Sequence, residues 1–205
     1  AAIEGYRSRF GSFGKHIHAL PESFRRLQDG DLLQLGAHAW RVITTGGHSP
    51  EHACLYCHNL NLLIAGDQVL PRISSNVSVF ATEPQANPLK EWYESLDKLA
   101  REVPADVLVL PSHNEPFYGL HQRLDSLRAS QDQALERLRQ SLCNGPQRSV
   151  DVSPALFRRA RGAQDGQPLS LATGEAVACM NYLIAESAVE CAVSGDGVAW
   201  YALKS

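Results

Sequence analysis

Three short stretches each place a metal-binding residue type at the end of an apolar, β-like run. Val42-Ile43-Thr44-Thr45 leads into Gly46-Gly47-His48-Ser49-Pro50-Glu51-His52, and Leu62-Leu63-Ile64-Ala65 into Gly66-Asp67. Val107-Leu108-Val109-Leu110 leads into Pro111-Ser112-His113-Asn114-Glu115-Pro116. Strands that end together present such side chains at one rim of a rigid sheet, and Gly- or Pro-bearing turns aim them. Imidazole and carboxylate are the donors of hydrolytic zinc, manganese or iron sites. Asp67 has two oxygens and could bridge two divalent metal ions. Such a pair, about 3.5–4 Å apart, lowers the pKa of a shared water toward about 7 and aims it at an electrophile. His48 and His113 would each give one neutral imidazole, and their second ring nitrogens then need partners, for which His52 and Glu115 are candidates.

Other residues carry weaker chemical signals. Arg72, Ser75 and Asn76 follow Asp67 closely enough to line the same cleft, Arg72 as a clamp for a carboxylate or phosphate and the other two as polar contacts. A polar strand edge explains them equally well. His52 lies four residues past His48, but Pro50 and the following strand argue against a helical pair of ligands. Cys54-Leu55-Tyr56-Cys57-His58 matches a C-x-x-C-H haem attachment pattern, yet a strand there would put its two thiols on opposite faces. His16 and His18, and likewise His38, His58 and His121, read as ordinary loop or surface residues. No Gly-x-Ser-x-Gly elbow or phosphate-binding glycine loop is present, so serine-hydrolase and nucleotide-binding chemistry have no support.

The elements that position these groups can be read from periodicity. Leu32 to Leu35 and Ala39 to Thr44 read as a hairpin across Gly36-Ala37, and Ala53 to Cys57 with Asn61 to Ala65 as a second pair. Asn87-Pro88 opens an amphipathic helix with Leu89, Trp92, Leu96 and Leu99 on one face, stopped by Pro104. A buried strand follows at Val107 to Leu110. A long helix carries the stripe Leu120, Leu124, Leu127, Ala134, Leu138 and Leu142, ending near Asn144-Gly145-Pro146. Then come a short helix around Pro154 to Ala160, a helix from Leu171 to Glu190, and a hairpin turning at Ser194 to Gly197. Strand pairs followed by helix–strand units predict an α/β layered domain. Helix, helix and hairpin is the order of a winged-helix module.

The 205 residues, 44% hydrophobic and 20% charged, suit one globular domain with a small appendage. The net charge of −3 argues against a general nucleic-acid footprint. No apolar run approaches a membrane span, and no signal-peptide pattern opens the chain. Its Ala-Ala start fits a processed protein or a fragment. The five cysteines read as reduced, buried thiols of a cytoplasmic protein. In the tail from Pro146 onward, Arg148, Arg158, Arg159, Arg161 and Lys204 meet Asp151, Asp165, Glu175, Glu186, Glu190 and Asp196, leaving one net negative charge. The expected long helix there has no Lys or Arg, which disfavours nucleic-acid binding.

The three ligand-bearing segments, in this order, resemble the later half of the metallo-β-lactamase fold. The resemblance covers nearly the whole chain and implies a partial domain over 1–145 followed by a winged-helix-like domain over 146–205. It implies that His48 binds one metal, His113 the other, and Asp67 bridges them as the catalytic carboxylate. The cofactor would be two divalent metal ions, zinc first, with manganese or iron as alternatives. The family's first ligand cluster, His-x-His-x-Asp-His, is not found upstream; Lys15-His16-Ile17-His18-Ala19-Leu20-Pro21 has a His-x-His with no Asp-His after it. The implied activity is hydrolysis of an ester, thioester, lactone or similar bond in a small-molecule substrate. Alternatives are an RNA-cleaving nuclease of the same fold and a non-catalytic interaction module with a degenerate metal site. With only three ligands for two metals, the chain alone is expected to be inactive. It is expected to pair as a homodimer or with a complementary N-terminal fragment.

Overall fold

The computed structural model describes residues 21–156 and 169–204. His16 and His18 lie outside the described residues, as does the end of the short helix expected after Pro154. Strands β1 (Leu32–Leu35), β2 (His38–Thr45), β3 (His52–Cys57), β4 (Leu62–Gly66) and β5 (Leu108–Pro111) form one sheet in the order β1-β2-β3-β4-β5. The first four pair antiparallel, and β5 runs parallel to β4. Strands β2, β4 and β5 therefore point the same way, and their C-terminal ends meet at one edge. That edge carries His48, Asp67 and His113.

Helix α1 (Pro88–Glu102) makes the crossover from β4 to β5. The Asn87 side chain accepts from the Lys90 amide, and Pro88 occupies the first turn, where its missing N–H costs nothing. Leu89, Trp92, Leu96 and Leu99 fall at helical spacing and are buried. They share one cluster with Ile43, Cys54, Tyr56, Leu63, Ala65 and Val109 from the strands. An ion pair from Arg41 Nη1 to Glu102 Oε2 at 2.5 Å ties β2 to the end of the helix. On the opposite face, cross-strand pairing aligns the apolar row Val42, Leu55, Ile64 and Leu110. Val42 is fully buried there, whereas Ile64 remains 36% exposed.

Helix α2 (Leu120–Leu142) buries Leu120, Leu124, Leu127, Ala134, Leu135, Leu138 and Leu142. It is followed by α3 (Ser149–Leu156), α4 (Leu169–Ala185) and a hairpin of β6 (Val189–Val193) and β7 (Ala199–Leu203). The core continues across residue 145: Leu138 and Leu142 belong to the same cluster as Val152, Met180, Leu183 and Tyr201. Among the described residues, no helix is long and apolar enough to cross a membrane.

Three expectations need correction. The short helix begins at Ser149, ahead of Pro154, because Asp151 accepts from the Arg148 amide at its start. Pro154 sits inside it, and the Val150 carbonyl that a residue 154 amide would have served accepts the Ser153 hydroxyl instead, at 3.1 Å. Helix α4 stops at Ala185 rather than Glu190: Ser187 takes φ 58°, and amides 186, 187 and 188 close the last carbonyls. Of the cysteines, Cys54, Cys57 and Cys179 are buried, but Cys143 and Cys191 are exposed, at the end of α2 and in strand β6.

Gly47 fixes how closely the turn after β2 lies on α1. Its φ is +99°, and an added Cβ would meet Trp92 Cβ at 2.3 Å and the Pro88 carbonyl at 2.8 Å. Gly47→Ala should therefore lower the unfolding free energy read from urea melts by as much as an overpacked core, about 1–3 kcal/mol. Leu96→Ala, which empties the helix–sheet interface, should cost about 2–5 kcal/mol. A Gly47→Ala variant as stable as the parent would show that the turn can lift off the helix.

Candidate metal centre

At the shared rim, Asp67 lies between the two histidines. Its Oδ2 is 3.5 Å from His48 Nε2 and its Oδ1 is 3.3 Å from His113 Nε2. Each carboxylate oxygen thus faces one imidazole. His48 and Asp67 are partly buried, while the His113 side chain is 64% exposed.

Backbone geometry sets these directions. Gly66, with φ +53°, turns the chain so that Asp67 leaves the strand edge, and a Cβ there would strike His52 Nε2 at 2.7 Å. The register between β4 and β5 shifts at Ile64 and Gly66, an irregularity of the kind that re-aims a side chain beside a site. The Ser112 amide donates to the Gly66 carbonyl, and the Ser112 hydroxyl donates to Asp67 Oδ1 at 2.5 Å. Glu51 and Asn114 hold positive φ in the two histidine-bearing turns; such strained positions are kept where the surroundings impose them. Below the turn, the Gly46 amide donates to Ser95 Oγ, and the Gly46 carbonyl accepts from Gln68 Nε2. The Gln68 Oε1 is buried with no partner among the described residues.

His48 has a defined tautomer. Its Nδ1 is 2.8 Å from the Asn76 carbonyl. A carbonyl only accepts, so Nδ1 carries a proton and donates, and Nε2, turned to Asp67, is the ring nitrogen left for a cation. His52 turns its Nδ1 to the Thr45 hydroxyl at 3.3 Å. Burial, and next the nearby His48 ring, push the His52 imidazole below its ordinary value, against the pull of Asp67. Burial pushes the neighbouring Cys54 thiol up to about 12, so it stays protonated and unreactive.

The remaining candidates are placed as follows. Arg72 makes an exposed ion pair with Glu115, Nε to Oε1 at 2.8 Å. The Arg72 guanidinium holds the Glu115 carboxyl below the usual carboxylate range. Glu115 thus meets Arg72 rather than the His113 ring. Ser75 is buried and donates to the Asp67 and Gln68 carbonyls. The Asn76 side chain turns away from the rim, its Nδ2 donating to Glu175 Oε1 at 2.7 Å. Burial pushes the Glu175 carboxyl up, against hydrogen bonds from Asn76 and the Val77 amide. His58 approaches the Tyr56 hydroxyl, and His121 Nε2 approaches the Val103 carbonyl, both away from this edge. In β3, Cys54 and Cys57 take opposite faces of the sheet, which a single haem cannot bridge. Ser112, Gln68 and Glu175 were not singled out from the sequence. Only Ser112, inside a ligand-bearing segment, offered a signal.

No group of three or more His, Cys, Asp or Glu side chains among the described residues is arranged to hold a metal ion. The donor set nevertheless fits two cations that share one carboxylate: a nitrogen and an oxygen on each side of Asp67. In number it gives two donors per cation, where a catalytic zinc takes three from protein.

Comparison with known proteins places the chain in a family. The profile of the metallo-beta-lactamase superfamily matches residues 5–113, and that of a metallo-beta-lactamase-like C-terminal domain matches residues 135–204. A beta-lactamase domain protein from Burkholderia ambifaria is 40% identical, with a TM-score of 0.87 over 99% of this chain and 59% of that one. A metallo-beta-lactamase family protein from Thermus thermophilus is 29% identical, with a TM-score of 0.77 over 100% of this chain and 65% of that one. Among curated relatives, a hydroxyacylglutathione hydrolase of Francisella tularensis subsp. novicida is 26% identical over 88 residues, 43% of this chain and 32% of that protein. The chain thus spans less than two thirds of the length of these relatives. With one family profile matching over half of its residues, and solved relatives superposing along its full length, the chain belongs to the metallo-beta-lactamase superfamily.

Proposed function

We propose that the chain carries the later metal-ligand segments of a hydrolase that turns water on an ester, thioester or lactone bond. The observation that carries this reading is the Asp67 carboxylate, each oxygen facing the Nε2 of a different histidine. His48, Asp67 and His113 would hold two divalent cations, zinc first. Such ions supply Lewis acidity and make water acidic enough to act as a nucleophile near neutral pH.

The chain's own residues set the rest. The Asn76 carbonyl keeps the His48 proton on Nδ1, and Ser112 holds one Asp67 oxygen in place. Arg72, on the rim with its Glu115 partner, could exchange that carboxylate for an anionic group of a small-molecule substrate. The two hydroxyacylglutathione hydrolases among the curated relatives favour a thioester. Two donors per cation fall short, so we place activity in an assembly where further donors meet this rim. A complementary segment or a second copy covering the row at Ile64 would serve. A nuclease is less favoured, because α4, from Leu169 to Ala185, contains no Lys or Arg. The donor shortfall favours one second reading, a non-catalytic interaction module with a degenerate site.

Titrating the protein with zinc by calorimetry, alongside Asp67→Asn, tests the proposal. Zinc should bind the parent, and Asp67→Asn should weaken it by more than about 100-fold, beyond what loss of an outer partner costs. The zinc-loaded assembly should cleave a hydroxyacylglutathione and lose that activity with Asp67→Asn. A parent protein that binds no zinc even in that assembly would overturn the hydrolase reading and favour the interaction module.

A further inference from the structure

The loop from Asp67 to Asn87 has no regular secondary structure, yet one of its carbonyls sets the state of a candidate metal ligand. Arg123 of α2 donates to the Leu70 and Ile73 carbonyls, and the stretch from Asn76 onward is held by helix α4, about a hundred residues later in the chain. Asn76 is tethered at both ends of its side-chain amide: Nδ2 donates to Glu175 Oε1 at 2.7 Å, and Oδ1 accepts from the Ser78 hydroxyl at 2.7 Å. The Asn76 carbonyl is then aimed at His48 Nδ1, 2.8 Å away. Close packing backs the tether. The Val79 amide donates to the Gly174 carbonyl at 3.1 Å, and a Cβ at Gly174 would meet Ser78 Cβ at 2.9 Å. Further along, Asn181 Nδ2 donates to the carbonyls of Pro84 and Ala86. Helix α4 therefore grips the loop at three successive points.

We propose that Glu175 is a positioning residue for the metal site: through Asn76 it holds the His48 proton on Nδ1 and so keeps Nε2 turned to the metal. This rests on the reading of His48 as a metal ligand given above. The connection is a chain of directional contacts, carboxylate to amide and carbonyl to imidazole. Each link fixes the orientation of the next. It gives the C-terminal part a role in the chemistry that needs no ligand of its own. If the loop is released, the Asn76 carbonyl can rotate away. His48 then keeps only the Asp67 carboxylate, 3.5 Å from Nε2, as an acceptor, and a share of the rings carries the proton on Nε2, where a metal would have to displace it.

Long-range 15N–1H spectra of the histidine rings, recorded on the metal-free protein at pH 8, read the tautomer directly. The parent should show His48 as Nδ1–H. Glu175→Gln, whose amide oxygen still accepts from Asn76, should keep that tautomer, whereas Glu175→Ala should give a mixture with Nε2–H. Zinc affinity should fall by about 10–100-fold in Glu175→Ala and stay near that of the parent in Glu175→Gln. If Glu175→Ala does not fold, Asn76→Ala keeps the carbonyl while cutting the tether and should shift the tautomer in the same way. A folded Glu175→Ala or Asn76→Ala that keeps the parental tautomer would overturn the proposal, as would a parent already in the Nε2–H form. A parent that binds no zinc but shows the tautomer shift would instead defeat the hydrolase reading and leave the coupling standing.

Discussion

The site depends on strand direction. Two antiparallel steps from β2 to β4, followed by a parallel step to β5, bring three C-terminal strand ends to one edge. Reversing any one of β2, β4 and β5 would send its residue among His48, Asp67 and His113 to the far end of the sheet. The parallel step needs a crossover, and α1 supplies it while covering the helix-facing side of the same strands. One element thus closes the core and sets the rim. The turn carrying His48 is pressed against that helix, with no room for a side chain at Gly47.

Around Asp67 the supporting contacts are mostly to backbone. Its own carbonyl accepts from Ser75, the Gly66 carbonyl accepts from the Ser112 amide, and the Gly46 carbonyl accepts from Gln68. Backbone partners on a rigid sheet move little, so the carboxylate is held facing two imidazoles. The exposed pairs nearby, Arg72 with Glu115 and Arg26 with Glu51, are of a different kind. Solvent screens them, and they contribute little to stability. Their place at the rim suits exchange with a charged ligand more than support of the fold.

Much of this was legible in the sequence, for local reasons. Asn87-Pro88 followed by Leu89, Trp92, Leu96 and Leu99 states both the start and the buried face of α1. The three ligand-bearing turns announced themselves as apolar runs ending in Gly or Pro beside His or Asp. What was not legible depends on distant partners or on competing local hydrogen bonds. Asn76 reads as a cleft residue, but its side chain is taken by Glu175, 99 positions later. Glu115 reads as a partner for His113, yet a guanidinium 43 positions earlier outcompetes the ring. Pro154 reads as a helix start, but an Asp151 cap begins the helix sooner and a serine hydroxyl repairs the proline's lost bond. The end of α4 is set by Ser187 in a left-handed conformation, which a helix-compatible sequence does not reveal.

The claim on which everything else rests is that Asp67 joins two metals, each also held by one histidine. X-ray absorption at the zinc edge of the zinc-loaded protein tests it most directly. Imidazole nitrogen at about 2.0–2.1 Å, together with a zinc–zinc distance of about 3.5–4 Å, is the expected result. A spectrum dominated by sulfur at about 2.3 Å would place the metal on cysteines instead, and isolated zinc with no second-metal scattering would show that Asp67 does not bridge.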